Sequence, residues 1–570
     1  MAENRDMAGD RDLSDREIVE IYRQMDPVSG YMLGFEEDAG KFFVPSSSAI
    51  QQLLGRIESL AKKSEGDRVS RGVLESIRCK LLYSEMPYNV ASEAVWAFFA
   101  HLSRPVPATG ADGKSWREEK MLSLVENIEK SLVAVKERLG TGAVEDMNPV
   151  LRIISSTSFA GLANVSQTLA EKSINPRLKE ALMGLARAAE GLRKRYGYED
   201  VRKGSFAEAY SVLMREDRGD GMGRKDIYED IWRYSFDYPS TPTEMEEQAL
   251  VWLKQELPIF REYVEDLSSM YGCDPHPEAL SEAITKRRRL EPGRILSFAT
   301  EMREHLRPVV EERLVRITPL YDTRIVETPP YLLPFISTAA MTSFNTLVGK
   351  PFNYFFVTTD PSRSPSLDPV EFLQTLVHEE YGHCVNYSNV AVEFSGPVRE
   401  VEKLHTNLTR PITEGISFHR EIEFLDLLHR LVEDGTETPS EKRFLEHLER
   451  FGARERLLLE MGFVTYEWRI LRFIRCIGDI RINTDRQSFL DYLEWASGMT
   501  DLPLKTIYDQ LIIFMDNPGY ACSYAIGGML LAEEQMKKRD QGRDILDFNT
   551  YASAAGFPPL SVYMERLREW

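Results

Sequence analysis

The stretch "FLQTLVHEEYGHCVNYSN", Phe372 to Asn389, carries two histidines, with a glutamate directly after the first. Helices that hold a metal with paired histidines place them at i and i+4, on one face. Here they are His378 and His383, five apart. On an ideal α-helix, i and i+4 lie about 40° apart in projection, and i and i+5 about 140° apart. A regular helix would therefore turn the two imidazoles away from each other. A π-bulge absorbs one extra residue, and Gly382, inside the interval, lowers the steric cost of that distortion. The stretch thus predicts a helix with one wide turn, its two imidazoles and Glu379 facing a common cleft. Its start is well marked: Asp368 suits the N-cap, Pro369 the first position and Glu371 a capping box.

A zinc site needs a third protein ligand and an open position. Glu414, in "TEGISFHRE", stands 31 residues after His383, in the first turn of the next predicted helix. Glu421 follows two turns along the same face and is placed to support a ligand. A rival pattern is the pair Glu380-x-x-His383 and Glu402-x-x-His405, the i, i+3 spacing of carboxylate di-iron bundles. Its two copies are only 22 residues apart. That leaves little room for two long helices and a turn, and it leaves His378 and Glu414 without roles.

The rest of the chain sets the frame. It has 570 residues, 43% of them apolar, enough for a large core. The formal charge of −20 repels phosphate backbones, so nucleic acid is not an expected partner. Five scattered cysteines form no C-x-x-C pair, which argues against a disulfide framework and a cysteine zinc knuckle. The N-terminus has no apolar h-region and no apolar run reaches membrane-spanning length. A cytoplasmic protein that does not enter a membrane is expected, in an oligomeric state that the sequence does not define.

Periodicities of three and four dominate, so the fold class is mainly α. The expected organisation is a disordered stretch over 1–14, a helical N-terminal region over 15–215 and a catalytic region over 216–570. Breaks fall near 104–115 and 139–149, where Pro, Gly and Asp cluster. "YFFVTT", Tyr354 to Thr359, reads as a strand. As an edge strand beside the histidine helix, it would hold an extended peptide by main-chain hydrogen bonds.

From about Tyr238 to Trp570 the chain resembles the domain of unknown function 885 family of zinc peptidases. The resemblance runs in order through "DYPSTPTEMEEQALVWLKQEL", "VETPPYLLP", "TLVHEEYGH", "TEGISFHRE", "LRFIRCIGDIR" and "NPGYACSYAIGGMLL". Glu414 stands where that family has its E-G-W-A motif. "IRCIGD" (Ile474 to Asp479) and "GYACSYAIGG" (Gly519 to Gly528) also resemble segments of the carboxypeptidase Taq family. "HEEYGH" is similar to the H-E-x-x-G-H signature of dipeptidyl peptidase III, which has the five-residue spacing.

These resemblances imply a large helical fold around a deep active-site cleft, with a small β element near the metal helix. They imply a zinc-dependent peptidase, in which Zn²⁺ is bound by His378, His383 and Glu414. Glu379 would be the general base. Tyr524, or in its place Tyr520, would donate a hydrogen bond to the developing oxyanion. Arg475 and Arg481 are candidates for a substrate carboxylate, although Arg475 would equally pair with Asp479 one turn away. His405 and His419 are possible cleft donors. The N-terminal helices would cover the cleft and restrict it to short peptides. The alternatives are a zinc hydrolase of another amide, a peptide-modifying enzyme, or a binding or scaffold protein with an inactive metal site.

Overall fold

The computed structural model describes residues 2–570 apart from 84–86, 106–112, 140–146, 200, 202–204, 218, 220, 289, 331, 334–335, 337–338 and 361–367. Among the described residues it is mainly α-helical, with a single small sheet. The first helix runs Ala2–Met25, so its backbone includes the stretch expected to be disordered. No described helix is long and apolar enough to cross a membrane.

Helix boundaries follow local chemistry. Thr241 caps helix Pro242–Tyr271 through a complete capping box with Glu244, with Pro242 in the first turn. Asn175 and Pro176 open helix Pro176–Tyr196 in the same way. That helix packs along Pro149–Lys172, from which only Ser173 to Asn175 separate it. The expected breaks lie between Ser103 and Gly113 and between Leu139 and Pro149, most of which is outside the described residues.

The sheet has three strands: β1 (Thr323–Glu327), β2 (Ala339–Phe344) and β3 (Phe352–Val357). Its order is β1-β3-β2, with β1 parallel to β3 and β2 antiparallel to it. The strand anticipated at Tyr354 is therefore the central one. Its main-chain groups are taken by two neighbours, so it cannot bind a peptide edge-on. β1 and β2 are the two edges, because the chain passes from β1 through β2 before returning to the middle, and β2 is the edge that reaches the histidine stretch.

The packing joins the two ends of the sequence. One core combines Ile153, Val212 and Leu213 with the helices after residue 228. A second gathers residues 28–196 around Phe344 and Phe352 of β2 and β3. A third binds the first helices to Val401, Leu404 and Leu408. A backbone bond from Asn345 N–H to Met32 O (2.7 Å) and a side-chain bond from Tyr22 Oη to His405 O (2.9 Å) reinforce this seam. Arg399 adds ion pairs to Asp15 and Asp67. The packing thus crosses the anticipated division at residue 215 on several faces, and the N-terminal helices are seated against the elements that carry the histidine stretch.

Candidate metal centre

The histidine stretch is wound in three parts: α-helix Pro369–Leu376, π-helix Val377–Cys384 and α-helix Val385–Ala391. Asp368 caps it through the Val370 N–H, at 2.8 Å. The wide turn extends over the whole hexapeptide rather than a single bulge. With i→i+5 bonding, residues five apart stand one turn apart, and the rings of His378 and His383 lie 4.9 Å apart, nearly perpendicular.

Glycines bring the partner helices close. A Cβ on Gly382 would lie 2.7 Å from Ser417 Cα, so the π-turn rests on the backbone of helix Thr409–Glu433. A Cβ on Gly527 would lie 1.7 Å from Pro411 O, which seats helix Tyr520–Asp540 against the same helix from the other side. Any side chain at these two positions would push the three helices apart.

That approach delivers Glu414. Its Oε2 lies 3.3 Å from His383 Nε2 and 3.8 Å from His378 Nε2. The three ligand atoms lie within 4.8 Å of one another. Ligands at about 2.0–2.2 Å around a tetrahedral ion stand about 3.3–3.6 Å apart, so one cation fits between them. Glu414 Oε2 is buried without a hydrogen-bond partner among the described residues, a costly arrangement for a carboxylate unless something else is bound. Burial works to raise the Glu414 carboxyl, yet His383 and His378 bring it down to about 2. His383 moves up: burial opposes its charge, and Glu414 outweighs it.

Two of the three candidate ligands, His378 and Glu414, are held from behind, whereas His383 Nδ1 has no hydrogen-bond partner among the described residues. His378 Nδ1 lies 2.6 Å from Glu421 Oε1, which fixes its Nε2 toward the centre. Arg472 grips both oxygens of Glu421, at 2.5 and 2.7 Å. Tyr520 Oη donates to Glu414 Oε1 at 2.9 Å. The Tyr520 hydroxyl is thus engaged by Glu414, whereas the Tyr524 ring stacks 6.3 Å from that of His378.

A cavity of about 640 Å³ opens beside these groups. His378, Glu379, His383, Glu414, Tyr520 and Tyr524 line one wall. Burial raises the Glu379 carboxyl, while His378 and His383 pull it back and the Met341 N–H of β2 donates to it. Residues 340–343 of β2 also face the cavity. Asp26, Phe42, Lys80, Glu93 and Trp96 of the N-terminal region form part of its lining.

Other expected site residues lie elsewhere. Arg481 is bound to Glu246 at 2.7 Å and stacks on Trp495, so it is structural. Arg475 does not line the cavity. It bonds Gln510 Oε1 (3.1 Å) and lies over the rings of Tyr524 and Phe514. Its expected pairing with Asp479 is not made, because Asp479 accepts from Tyr228 Oη and Gly519 N, both at 2.7 Å. His419 faces a buried network around Glu423, 3.7 Å away, and does not reach the cavity. His405 does line it. The di-iron pattern does not assemble: Glu380 pairs with Arg303 and Glu402 with Arg566, each at 2.6 Å.

The sequence reading missed Arg472, Arg410 and the edge strand β2. "AAMTSF" alternates too weakly to signal a strand, and neither arginine belongs to a recognisable spacing.

No protein-family model and no curated protein matches the chain. Its fold, however, is shared with solved structures along almost the whole length. One is described as "the putative lipoprotein from Colwellia psychrerythraea", with a TM-score of 0.68 and 14% identity over 98% of this chain and 99% of that one. Another, "a putative lipoprotein of unknown function from Shewanella oneidensis", has a TM-score of 0.62 and 14% identity over the same shares. At this identity the likeness concerns the fold.

Proposed function

We propose that the chain is a zinc-dependent hydrolase that cuts peptide bonds in short peptides. One observation carries this reading: His378, His383 and the Oε2 of Glu414, which accepts no hydrogen bond among the described residues, converge on one point, with Glu379 beside them on a cavity wall. The resemblance of its motifs to the domain of unknown function 885 family supports the same conclusion. Zinc bound there would supply a Lewis acid for the scissile carbonyl and its attacking water.

The chain's own groups account for the rest. Glu379, raised by burial, takes the proton from the attacking water and delivers it to the leaving amine. Tyr524 donates to the oxygen that gains charge. β2 holds an extended peptide along its free edge. Glu421, Arg472 and Tyr520 keep the ligands aimed, so little reorganisation is needed when the substrate arrives. The N-terminal helices limit the length of chain that fits. The five cysteines are unpaired and four are buried, which suits a reducing compartment, and we place the protein in the cytoplasm; recovery in the membrane fraction of cells that express it would overturn this.

The test is a fluorogenic peptide screen with and without chelator, on wild type and Glu379→Gln. Cleavage that a chelator stops and zinc restores is expected, and the variant should bind metal without turnover. A metal-loaded wild type that cleaves no peptide, or a variant as active as wild type, refutes the reading.

A further inference from the structure

We infer that Arg410 binds the C-terminal carboxylate of the substrate, so that the site takes short peptides with a free C-terminus and removes their last residue. This rests on the hydrolase reading above. Among the described residues the cavity has two positively charged side chains besides its histidines, Lys80 and Arg410. Lys80 is occupied by Asp26, at 2.8 Å. Arg410 has no ion-pair partner among the described residues. One of its N–H groups bonds Asn517 Oδ1 at 2.9 Å, and its guanidinium lies 4.5 Å over the Tyr520 ring. The other donors of its planar fork are open to a ligand, and a fork matches a carboxylate.

Its position fits this task. Arg410 precedes Glu414 by four residues in helix Thr409–Glu433, so both project from one face about 6 Å apart along the axis. Consecutive peptide Cα atoms are about 3.8 Å apart. The Tyr520 ring that Arg410 covers carries the hydroxyl bonded to Glu414, so a carboxylate held by Arg410 would lie on the same cavity wall as His378, His383 and Glu414, with the last peptide bond one residue back. The Tyr520 stack fixes the plane of the guanidinium before substrate arrives, which lowers the ordering cost of binding. Asp516 lines the same cavity. Burial pushes its carboxyl up to about 6, against the pull of Arg224 and Arg410, so the repulsion it offers an incoming carboxylate is partial.

The test separates this inference from the hydrolase reading by measuring binding as well as turnover. Three versions of one tripeptide are titrated into zinc-loaded Glu379→Gln protein by calorimetry: the free acid, the C-terminal amide, and an amide whose last residue is Glu. The free acid should bind about 10- to 100-fold more tightly than either amide, the range for a hydrogen-bonded charge. That preference should collapse in the Arg410→Ala, Glu379→Gln double variant. With Arg410→Lys it should be partly kept, because the charge survives and the fork does not. Zinc content, measured on every variant, confirms that Glu414 is still in place. Equal binding of acid and amide, no binding of any of the three, or a preference that persists without Arg410 overturns the inference. Tight binding of the Glu amide would assign Arg410 to side-chain carboxylates and overturn it as well. Absence of turnover in wild type, with the binding preference intact, would refute the hydrolase reading and with it the removal of the last residue, and would leave Arg410 as a carboxylate-binding group.

Discussion

The support of His378 is the most informative place to perturb the centre. Glu421 is 1% exposed and touches two partners, the Nδ1 of His378 and the guanidinium of Arg472. Glu421→Leu would do two separable things. It would release the imidazole, which at comparable sites costs about 10- to 100-fold in metal affinity, or about 1.4–2.8 kcal/mol. It would also leave Arg472, with a side chain only 5% exposed, without a counter-charge, at a cost of about 3–5 kcal/mol of stability. Replacing both residues, Glu421→Leu with Arg472→Leu, removes the stranded charge and should recover most of the stability, because a buried ion pair is often replaceable by apolar packing. The metal affinity should stay low in the double variant. Competition against a chromophoric chelator reads affinity, and thermal unfolding of the metal-free protein reads stability. If the double variant regains wild-type affinity along with its stability, Glu421 acts through the fold and the argument for an aimed ligand is wrong.

The remaining predictions concern the two tyrosines and one half-buried acid. Tyr524→Phe should lower kcat by about 10²–10³, the usual cost of one oxyanion donor, with zinc retained. Tyr520→Phe should act mainly on zinc affinity, through Glu414; the opposite pattern would exchange their roles. Glu467, half-buried, has its carboxyl raised from 4.5 to about 8 by desolvation and by Glu371. A carboxyl raised in the folded state stabilises below its unfolded value, and that contribution is lost as pH rises through the folded one. Unfolding temperature should therefore drop between pH 5 and pH 8 in wild type by more than in Glu467→Gln. Equal slopes would show that Glu467 does not hold a proton at neutral pH.

How much of this was legible in the sequence depends on the range of the interactions involved. Asp368–Pro369, Thr241–Pro242 and Asn175–Pro176 mark helix starts because a cap is a contact between near neighbours. The five-residue spacing with Gly382 between carries its own requirement for a wide turn, since geometry forbids the alternative on a regular helix. Glu379 follows from its adjacency to His378. The helical class follows from periodicity.

Other features depend on chain segments that meet only after folding. Arg475 and Asp479 have the spacing of a helical pair, yet Asp479 is claimed by Tyr228 and Gly519, and Arg475 by two aromatic rings. Both tyrosines suit an oxyanion by sequence, and the 2.9 Å bond from Tyr520 to Glu414 separates them. β1 and β2 are edges, and the strand legible at Tyr354 is central, because the third strand inserts between the first two. Arg472 and Arg410 have no signal in one dimension. The first gains its role from a carboxylate 51 residues away, and the second from a cavity to which both ends of the chain contribute. The sequence by itself determined which groups can share a cation and why the helix between them is wide. Tertiary packing alone decided which side chains stand behind them and which face the cavity, because burial and partner choice are properties of the assembled surfaces and not of neighbouring residues.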